Sequence, residues 1–258
     1  MSIPFNILRM KDTELHYPQR FANMTQRDYG LIFWNEGNKA SAESNHAVIK
    51  DFVGIESSLR DIESFYKGKG ISPRIFSSLQ ANELDKVSAP LQQHGFNIEL
   101  TGYEYFLHDH ESIVKPNEEL QIQRIKHLDI DIMETIALEY GGDWTIRVVE
   151  RHLQHPSYHL LGGYHHGELA ALASVCTYAG YSRISDVFTR EKFRGKGFAA
   201  TMIHSLVLYH KGISENHLYL FSDNPATSKV YEKTGVSRLP QDFVSWTAAK
   251  ELSTINSQ

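Results

Sequence analysis

The chain has 258 residues, of which 41% are hydrophobic, 11% aromatic and 22% charged, a composition typical of a folded protein large enough for two small domains. Its formal net charge is -5 and its Lys and Arg residues are not gathered into one block, which argues against a nucleic-acid partner. A mildly acidic balance suits a cationic substrate such as an amine but decides nothing by itself.

The single cysteine, Cys176, excludes an intrachain disulfide and favours a reducing compartment. It lies in an apolar run, which predicts a buried side chain rather than a reactive thiol. The first residues lack the basic start and apolar core of a signal peptide, and no stretch approaches the roughly 18–20 apolar residues of a membrane span. We therefore expect a cytoplasmic protein without a membrane partner.

In the N-terminal half, the hydrophobic pattern predicts two helices and two strands. They are a helix at about 57–66, a strand at 74–77, a helix at about 84–94 and a strand at 102–107. A polar stretch with a proline follows at 108–119 and separates two regions of stronger pattern. We interpret it as a linker between two domains, residues 1–112 and 113–258.

After this stretch the pattern alternates between strand and helix periods. The predicted strands are 120–125, 158–164, 169–177, 183–189, 217–221 and 243–247, and the predicted helices are 129–140, 145–155, 196–209 and 225–234. The order β-α-α-β-β-β-α-β-α-β is typical of an α/β fold with a mixed sheet.

The N-terminal half repeats part of this pattern. Residues 66–72 resemble residues 209–214, and in both halves a strand, a helix and a glycine follow, Gly95 in the first half and Gly235 in the second. The recurrence of these elements in the same order favours a degenerate duplication. Chance similarity between two α/β segments is the alternative.

The strongest chemical signal is the run 187–199, where a strand leads through a glycine-rich turn into a helix. Gly195 and Gly197 allow the backbone to pass close to a ligand. The free N–H groups at the start of the following helix suit a pyrophosphate, and Arg194 and Lys196 add cationic donors. A flexible turn with two solvated bases is the alternative, and the run fits neither common nucleotide-binding glycine motif.

The second signal is the run 223–235. Asn224 is a candidate helix cap with Pro225 at the first helical position, and Gly235 is placed to end the helix. Tyr231 lies seven residues after Asn224 and therefore on the same helical face. Taken alone, Tyr231 fits a packing residue better than a proton donor.

Together the two runs resemble motifs A and B of the GNAT superfamily of acyl-CoA-dependent N-acetyltransferases. The family pattern Arg/Gln-x-x-Gly-x-Gly/Ala is met by Arg194, Gly197 and Ala199, and the second motif is met by Asn224, Tyr231 and Gly235. The resemblance covers about residues 120–247. Many members carry Ala at the position of Thr227 and Phe or Tyr at that of Val236, but neither departure touches the expected chemistry.

The resemblance implies tandem GNAT-like folds of the α/β class with mixed sheets, the C-terminal fold intact and the N-terminal fold degenerate. The N-terminal half has no Arg-x-x-Gly-x-Ala loop, so it resembles a GNAT fold that has lost its cofactor site. The implied activity is transfer of an acetyl group from acetyl-CoA to a primary amine by direct attack on the thioester. A non-catalytic acyl-CoA-binding sensor or scaffold is the alternative.

The family also implies roles for individual residues. The backbone of Arg194, Gly195, Lys196, Gly197, Phe198 and Ala199 would hold the CoA pyrophosphate. The strand edge at Val187, Phe188 and Thr189 would pair with the pantetheine amides and polarise the thioester carbonyl. Asn224 would reach the pantetheine arm, and Tyr231 would protonate the leaving thiolate.

The general base is less determined. Asp186 lies on the appropriate strand to take a proton from the ammonium, and an ion pair with Arg183 or a lysine is an equal alternative. The His165-His166 pair and the His108/His110 pair fit solvated turn residues because no third ligand is spaced to join them, so we expect no metal. The acceptor, a small molecule or a peptide amine, and the oligomeric state, with a homodimer as one option, stay open.

Overall fold

The computed structural model describes residues 4–251 and places in them seven α-helices and thirteen strands. The helices are α1 (Ile7–His16), α2 (Ile55–Lys69), α3 (Glu83–Gln93), α4 (Ile130–Tyr140), α5 (Trp144–Leu153), α6 (Phe198–Ile213) and α7 (Pro225–Glu232). The strands are β1 (Asn23–Arg27), β2 (Gly30–Trp34), β3 (Ala47–Ile49), β4 (Arg74–Phe76), β5 (Asn97–Leu100), β6 (Glu104–His108), β7 (Leu120–Ile125), β8 (Tyr158–His165), β9 (Glu168–Tyr178), β10 (Tyr181–Thr189), β11 (His217–Ser222), β12 (Val236–Arg238) and β13 (Trp246–Ala249). They form two mixed sheets, which confirms the predicted fold class.

The first unit contains a seven-stranded sheet in the order β12-β6-β11-β10-β9-β8-β7, in which β10 and β11 are parallel. Helix α6 packs its apolar side on one face of this sheet, where Met202, Ile203 and Leu206 are fully buried. Strand β9 contributes a nearly continuous buried run to that core, and Cys176 is buried in it as predicted. This packing fixes the start of α6 beside the end of β10.

The second unit contains a six-stranded sheet in the order β1-β2-β3-β4-β13-β5, in which β3 and β4 are parallel. Its core includes Leu59 and Ile62 of α2. Glu83, at the start of α3, is fully buried, and its carboxylate accepts hydrogen bonds from both Ser77 and Ser78 and from Trp246 Nε1 at 3.0 Å. The carboxylate therefore ties α3 and β13 to the end of β4, and its burial is balanced by these donors.

Each of the two sheets contains one strand that comes from the opposite half of the chain. Strand β6 is inserted between β11 and β12 of the first unit, and β13 is inserted between β4 and β5 of the second. Within the described residues, the first unit comprises 4–13 and 103–240, and the second comprises 14–102 and 241–251. These units differ from the linear domains predicted at 1–112 and 113–258, because one strand of each sheet, β6 in the first and β13 in the second, comes from the other half of the chain.

The polar stretch predicted as a linker packs within the first unit. Residues 109–119 form no helix or strand, but the amide of Asp109 donates to the carbonyl of Gly235 at 3.1 Å. A Cβ on Gly235 would lie 2.4 Å from the carbonyl oxygen of His110, so this close backbone contact requires glycine. The stretch is thus fastened beside the second sequence motif rather than spanning two domains.

The predicted elements recur with small changes in their bounds. Strand β7 has the predicted bounds, and Asp129, the predicted start of a helix, is the N-cap of α4, where its carboxylate accepts from the amide of Ile132 at 2.9 Å. Helix α1 and strands β1, β2, β3, β5 and β12 were not predicted. None of the helices within residues 4–251 combines the length and apolar character that a membrane span requires.

A buried histidine in the second unit makes its stability depend on pH. His46 is stacked on Phe76 with ring centroids 4.0 Å apart, and its Nδ1 donates to the carbonyl of Ala42 at 3.2 Å. Burial lowers the pKa of His46 to about 4, and the charge of nearby Arg74 acts in the same direction. The folded unit therefore holds this imidazole in its neutral form at neutral pH.

We expect acid to destabilise this unit through His46. As the pH falls from about 6.5 towards 4, the unfolded chain takes up a proton that the folded chain does not bind, so the free energy of unfolding falls by on the order of 3 kcal/mol. Urea unfolding at several pH values would measure the slope, and His46→Gln should make it shallower. An equally steep slope in the variant would contradict this assignment.

Candidate functional site

The central feature of the first unit is an opening between its two parallel strands. Strands β10 and β11 pair only over Tyr181–Arg183 and His217–Tyr219. Beyond these pairs, β10 continues for six residues and β11 for three without further pairing to each other. The edge of β10 that includes Val187, Phe188 and Thr189 therefore carries backbone groups that β11 does not use, as an added strand requires.

A bulge in β10 accompanies this separation. The register between β10 and β9 shifts between Ser185 and Phe188, and Asp186 within the bulge has a left-handed backbone with φ of 52°. Its carboxylate Oδ2 accepts hydrogen bonds from Tyr158 Oη at 2.7 Å and from Ser174 Oγ at 2.5 Å. Both donors are buried side chains of neighbouring strands, so they fix the half-buried carboxylate at the bulge.

The alternative in which Asp186 pairs with Arg183 or a lysine does not occur in the described part of the chain. The guanidinium of Arg183 instead lies over the ring of Phe221, 4.7 Å from its centroid. The hydrogen bonds of Asp186 come only from hydroxyl groups, and its Oδ1 has no hydrogen-bond partner among residues 4–251. One carboxylate oxygen is therefore held by the protein while the other is available to a ligand.

The loop after β10 forms a concave group of backbone amides. Gly195 and Gly197 have φ of 79° and 78°, and Gly197 is the N-cap of α6. Thr201 makes the first backbone hydrogen bond of α6, to the carbonyl of Gly197, so the amides of the first turn before it point outwards. Alternating left-handed residues beside a helix N-terminus are typical of anion-binding loops.

Arg194 is bound to the protein rather than free. Its Nε donates to the carbonyl of Thr189 at 3.0 Å, and its Nη2 pairs with Glu139 Oε2 of α4 at 3.3 Å. The side chain of Arg194 is 61% exposed and that of Glu139 only 11%. Arg194 thus connects the loop back to the end of β10. Lys196 is exposed, and its ammonium lies 5.7 Å from the ring centroid of Phe193.

An open cleft of about 600 Å³ lies beside this loop. It is lined by Leu138, Glu139, Arg190, Glu191, Lys192 and Arg194. Helix α4 also reaches the open strand edge, because the ring of Tyr140 contacts that of Phe188 edge-on at a centroid distance of 5.4 Å. Arg194 therefore belongs to both the cleft and the loop, and α4 contacts the strand that carries the open edge.

The second motif forms α7 as predicted. Asn224 is the N-cap: its Oδ1 accepts from the amide of Ala226 at 2.9 Å and from that of Thr227 at 3.4 Å, and Pro225 is the first helical residue. The cap uses the amide oxygen of Asn224 and leaves the Nδ2 donor for other partners.

Tyr231 belongs to the core that α6 and α7 share and is only 5% exposed. Burial raises the pKa of its phenol to about 12, with a further contribution from the negative charge of Asp223. The phenol is therefore fully protonated at neutral pH, as a proton donor must be. Within residues 4–251 no side chain hydrogen-bonds to its hydroxyl.

The corresponding region of the second unit, from β3 to the start of α2, has a different structure. Helix α2 also starts at a left-handed glycine, Gly54, with φ of 67°. However, β3 pairs with β2 without a register shift and ends one residue after its last pair with β4 at Val48. Among the residues that the structure describes, β3 therefore lacks the bulge and the long extension past its parallel neighbour that leave the edge of β10 open.

Comparisons with known proteins agree with this geometry. A model of the acetyltransferase (GNAT) family matches residues 130–236, which include the opening, the loop and all four helices α4 to α7. Residues 130–236 form a GNAT acetyltransferase domain. No curated protein sequence matches the chain.

Solved structures extend the fold beyond the matched GNAT domain. A GCN5-related N-acetyltransferase from Kribbella flavida is 12% identical with a TM-score of 0.69, covering 96% of each chain. A conserved protein of unknown function from Staphylococcus epidermidis is 13% identical with a TM-score of 0.65, covering 89% of this chain and 94% of its own. A tandem GNAT protein from the clavulanic acid biosynthesis pathway is 14% identical with a TM-score of 0.56, covering 81% and 76%. These likenesses show a fold shared across both units.

The structure places the predicted site residues of the GNAT domain on β10, on the loop that follows it, at the start of α6 and on α7. Asp186 and the predicted strand edge lie on β10, residues 194–197 lie between β10 and α6, Phe198 and Ala199 begin α6, and Asn224 and Tyr231 lie at the two ends of α7. The sequence did not point to Glu139, Tyr158 or Ser174, whose contacts depend on distant pairing. No group of three or more His, Cys, Asp or Glu side chains within residues 4–251 is arranged to hold a metal ion.

Proposed function

We propose that the GNAT domain binds acetyl-CoA and transfers its acetyl group to a primary amine. The observation that carries this proposal is the open edge of β10, which lies directly before a loop of outward-facing amides at the start of α6. An extended chain with amide groups fits an open strand edge, and a pyrophosphate fits the amide loop. Pantetheine and the diphosphate of CoA occur in that order.

The residues present fit this co-substrate. A Cβ on Gly195 or Gly197 would meet no atom within 4 Å, so the side of the loop where phosphates would lie is open. Three cationic side chains, Arg190, Lys192 and Arg194, line the adjoining cleft. When bound, acetyl-CoA supplies an activated acyl group, and backbone amides of β10 would polarise its carbonyl.

In this proposal the side chains of Asp186 and Tyr231 carry out the proton transfers. Asp186 takes a proton from the acceptor ammonium on its free Oδ1, which gives the nitrogen a lone pair. The nitrogen bonds to the acetyl carbon as the carbon–sulfur bond breaks, and it releases its second proton to solvent. Tyr231 donates its phenolic proton to the departing sulfur and takes up a proton from solvent, and Asp186 releases its proton to solvent. The products are an N-acetyl amine and free CoA.

We expect calorimetric titration to give one acetyl-CoA per chain, because within residues 4–251 the open strand edge beside a glycine loop occurs in the first unit and not in the second. Ligand at one hundred times its Kd should stabilise the folded protein by about 2.7 kcal/mol and raise its Tm. Two sites per chain would show that the second unit also binds CoA. No binding by a folded sample would rule out the proposed function.

Release of free thiol from acetyl-CoA with a panel of amines tests the transfer itself. Turnover with any amine supports the enzyme and begins to define the acceptor, as a small molecule or a peptide. Tight binding with no turnover across diamines, amino sugars, amino acids and lysine peptides would favour the sensor or scaffold role. The oligomeric state can be measured on the same sample by light scattering.

A further inference from the structure

The phosphate-binding loop is held from outside by one residue of the polar stretch 109–119. The side-chain Nδ2 of Asn117 donates to the carbonyl of Lys196 at 3.0 Å. The backbone amide of Asn117 donates to Thr201 Oγ1 at 2.9 Å, and that hydroxyl donates in turn to the carbonyl of Gly197 at 3.1 Å. Asn117 is thus connected to both carbonyls that flank the start of α6.

The remaining polar groups of Asn117 fix its own position. Its Oδ1 accepts from the amide of Glu119 at 2.9 Å, and its carbonyl accepts from the amide of Leu120 at 3.2 Å. Leu120 begins β7, which belongs to the main sheet of the unit. Asn117 therefore links the loop to the start of a strand of the main sheet, and the sheet fixes where its side chain lies.

The hydrogen bond to Lys196 determines the direction of the next amide. In a planar trans peptide the C=O and the N–H point in opposite directions. Because the carbonyl of Lys196 points towards Asn117, the N–H of Gly197 points away from it. Gly197, on the C-terminal side of this peptide, leaves it conformational freedom unless another group holds it.

We propose that Asn117 is a positioning residue for the cofactor loop, which keeps the N–H of Gly197 turned towards the pyrophosphate before it binds. This inference rests on the proposed binding of acetyl-CoA. Preorganisation of this kind lowers the entropy lost on binding and so tightens affinity without touching the ligand. Asn117 acts on affinity for the CoA moiety and not on the chemical step.

The full-length Asn117→Ala variant tests the proposal by calorimetric titration with CoA, which needs no turnover. Loss of one hydrogen bond of about 1–1.5 kcal/mol predicts a Kd about five- to tenfold higher. Under saturating acetyl-CoA the kcat should stay within about twofold, so that only the KM rises. A purely structural role would lower Tm without this split.

Asn216→Ala is the matched control. Its Nδ2 also donates to a backbone carbonyl, that of Tyr181 at 3.1 Å, in the turn before β11 and away from the loop. Its CoA affinity should equal that of the parent. Asn117→Ser serves if the alanine variant does not fold, because a serine can still accept from the amide of Glu119 but is too short to reach Lys196.

The outcomes separate the two proposals. A parent that does not bind CoA overturns the proposed function and this inference with it. A parent that binds CoA, with an unchanged Kd in both Asn117 variants, overturns the positioning role alone. A higher Kd in Asn117→Ala and Asn117→Ser, but not in Asn216→Ala, supports it.

Discussion

Replacement of Tyr231 by Phe should lower kcat by about 10²–10⁴-fold while the affinity for acetyl-CoA stays the same. As the carbon–sulfur bond breaks, negative charge develops on the sulfur, and a proton placed nearby stabilises that charge. The substitution removes only the hydroxyl, which has no hydrogen-bond partner among residues 4–251, so packing in the core should change little. An effect on kcat without one on binding identifies an interaction made only in the transition state.

The pKa of Tyr231 adds a second expectation to this experiment. With a pKa of about 12, the phenol does not titrate between pH 6 and 9, so a loss of rate at alkaline pH in that range has to come from another group. The parent and the variant should therefore have pH–rate profiles of the same shape but different height. A profile that loses its alkaline limb in the variant would contradict the raised pKa, because Tyr231 would then titrate within this range.

Tyr209→Phe is a suitable control for this variant. The hydroxyl of Tyr209 pairs with His159 Nδ1 at 3.0 Å near the C-terminal end of α6, at the opposite end of the helix from the loop. Its removal should leave kcat within about twofold of the parent. If Tyr231→Phe is also within about threefold of the parent, the proton comes from water or another side chain and the sensor role gains support.

The elements of the C-terminal half could be predicted because their signals are local. Apolar periodicity and the glycines and prolines at element ends decide whether a short segment becomes a helix or a strand. Asp129 and Asn224 cap the helices that their sequence context predicts. Local signals are also the reason why a glycine-rich turn that leads into a helix could be predicted here.

The exchange of strands could not be predicted in the same way. Strands β6 and β13 are short segments of five and four residues, and their alternation indicates only that they belong to a sheet. Which neighbours a strand pairs with depends on contacts between distant parts of the chain. The boundary expected at residue 112 followed from the polarity of 109–119, and polarity does not show which sheet a flanking strand joins.

The residues that support the site were missed for a related reason. Tyr158 is 28 residues from Asp186, Glu139 is 55 residues from Arg194, and Asn117 is 79 residues from Lys196. No spacing rule connects residues that far apart. Their polar character alone fits many exposed positions, so these contacts could be identified only in the folded structure.

Replacement of Gly197 by Val should weaken acetyl-CoA binding by about a hundredfold, which corresponds to the loss of one or two charge-assisted hydrogen bonds. Gly197 is the N-cap of α6 with φ of 78°, a conformation that a β-branched residue adopts only with strain. A Cβ at this position would project into open space, the same space that the proposal assigns to the phosphates. The added side chain would therefore both distort the loop and exclude the ligand.

A loss of affinity caused by backbone strain must be distinguished from one caused by steric exclusion of the ligand. Gly167 provides the control. It lies in the turn between β8 and β9 with φ of 83°, and a Cβ there would also meet no atom within 4 Å. Gly167→Val should thus lower Tm about as much as Gly197→Val, because both residues leave the same preferred region of backbone space. Its Kd for acetyl-CoA should equal that of the parent.

Calorimetric titration of both valine variants then shows whether a loss of acetyl-CoA affinity comes from exclusion of the ligand or from backbone strain. A weaker Kd in Gly197→Val alone, with similar Tm values, supports a pyrophosphate seated against the start of α6. Equal losses in both variants would attribute the effect to a general loss of stability. An unchanged Kd in Gly197→Val would move the binding site away from the loop, because a ligand in contact with these amides cannot share its space with two added methyl groups.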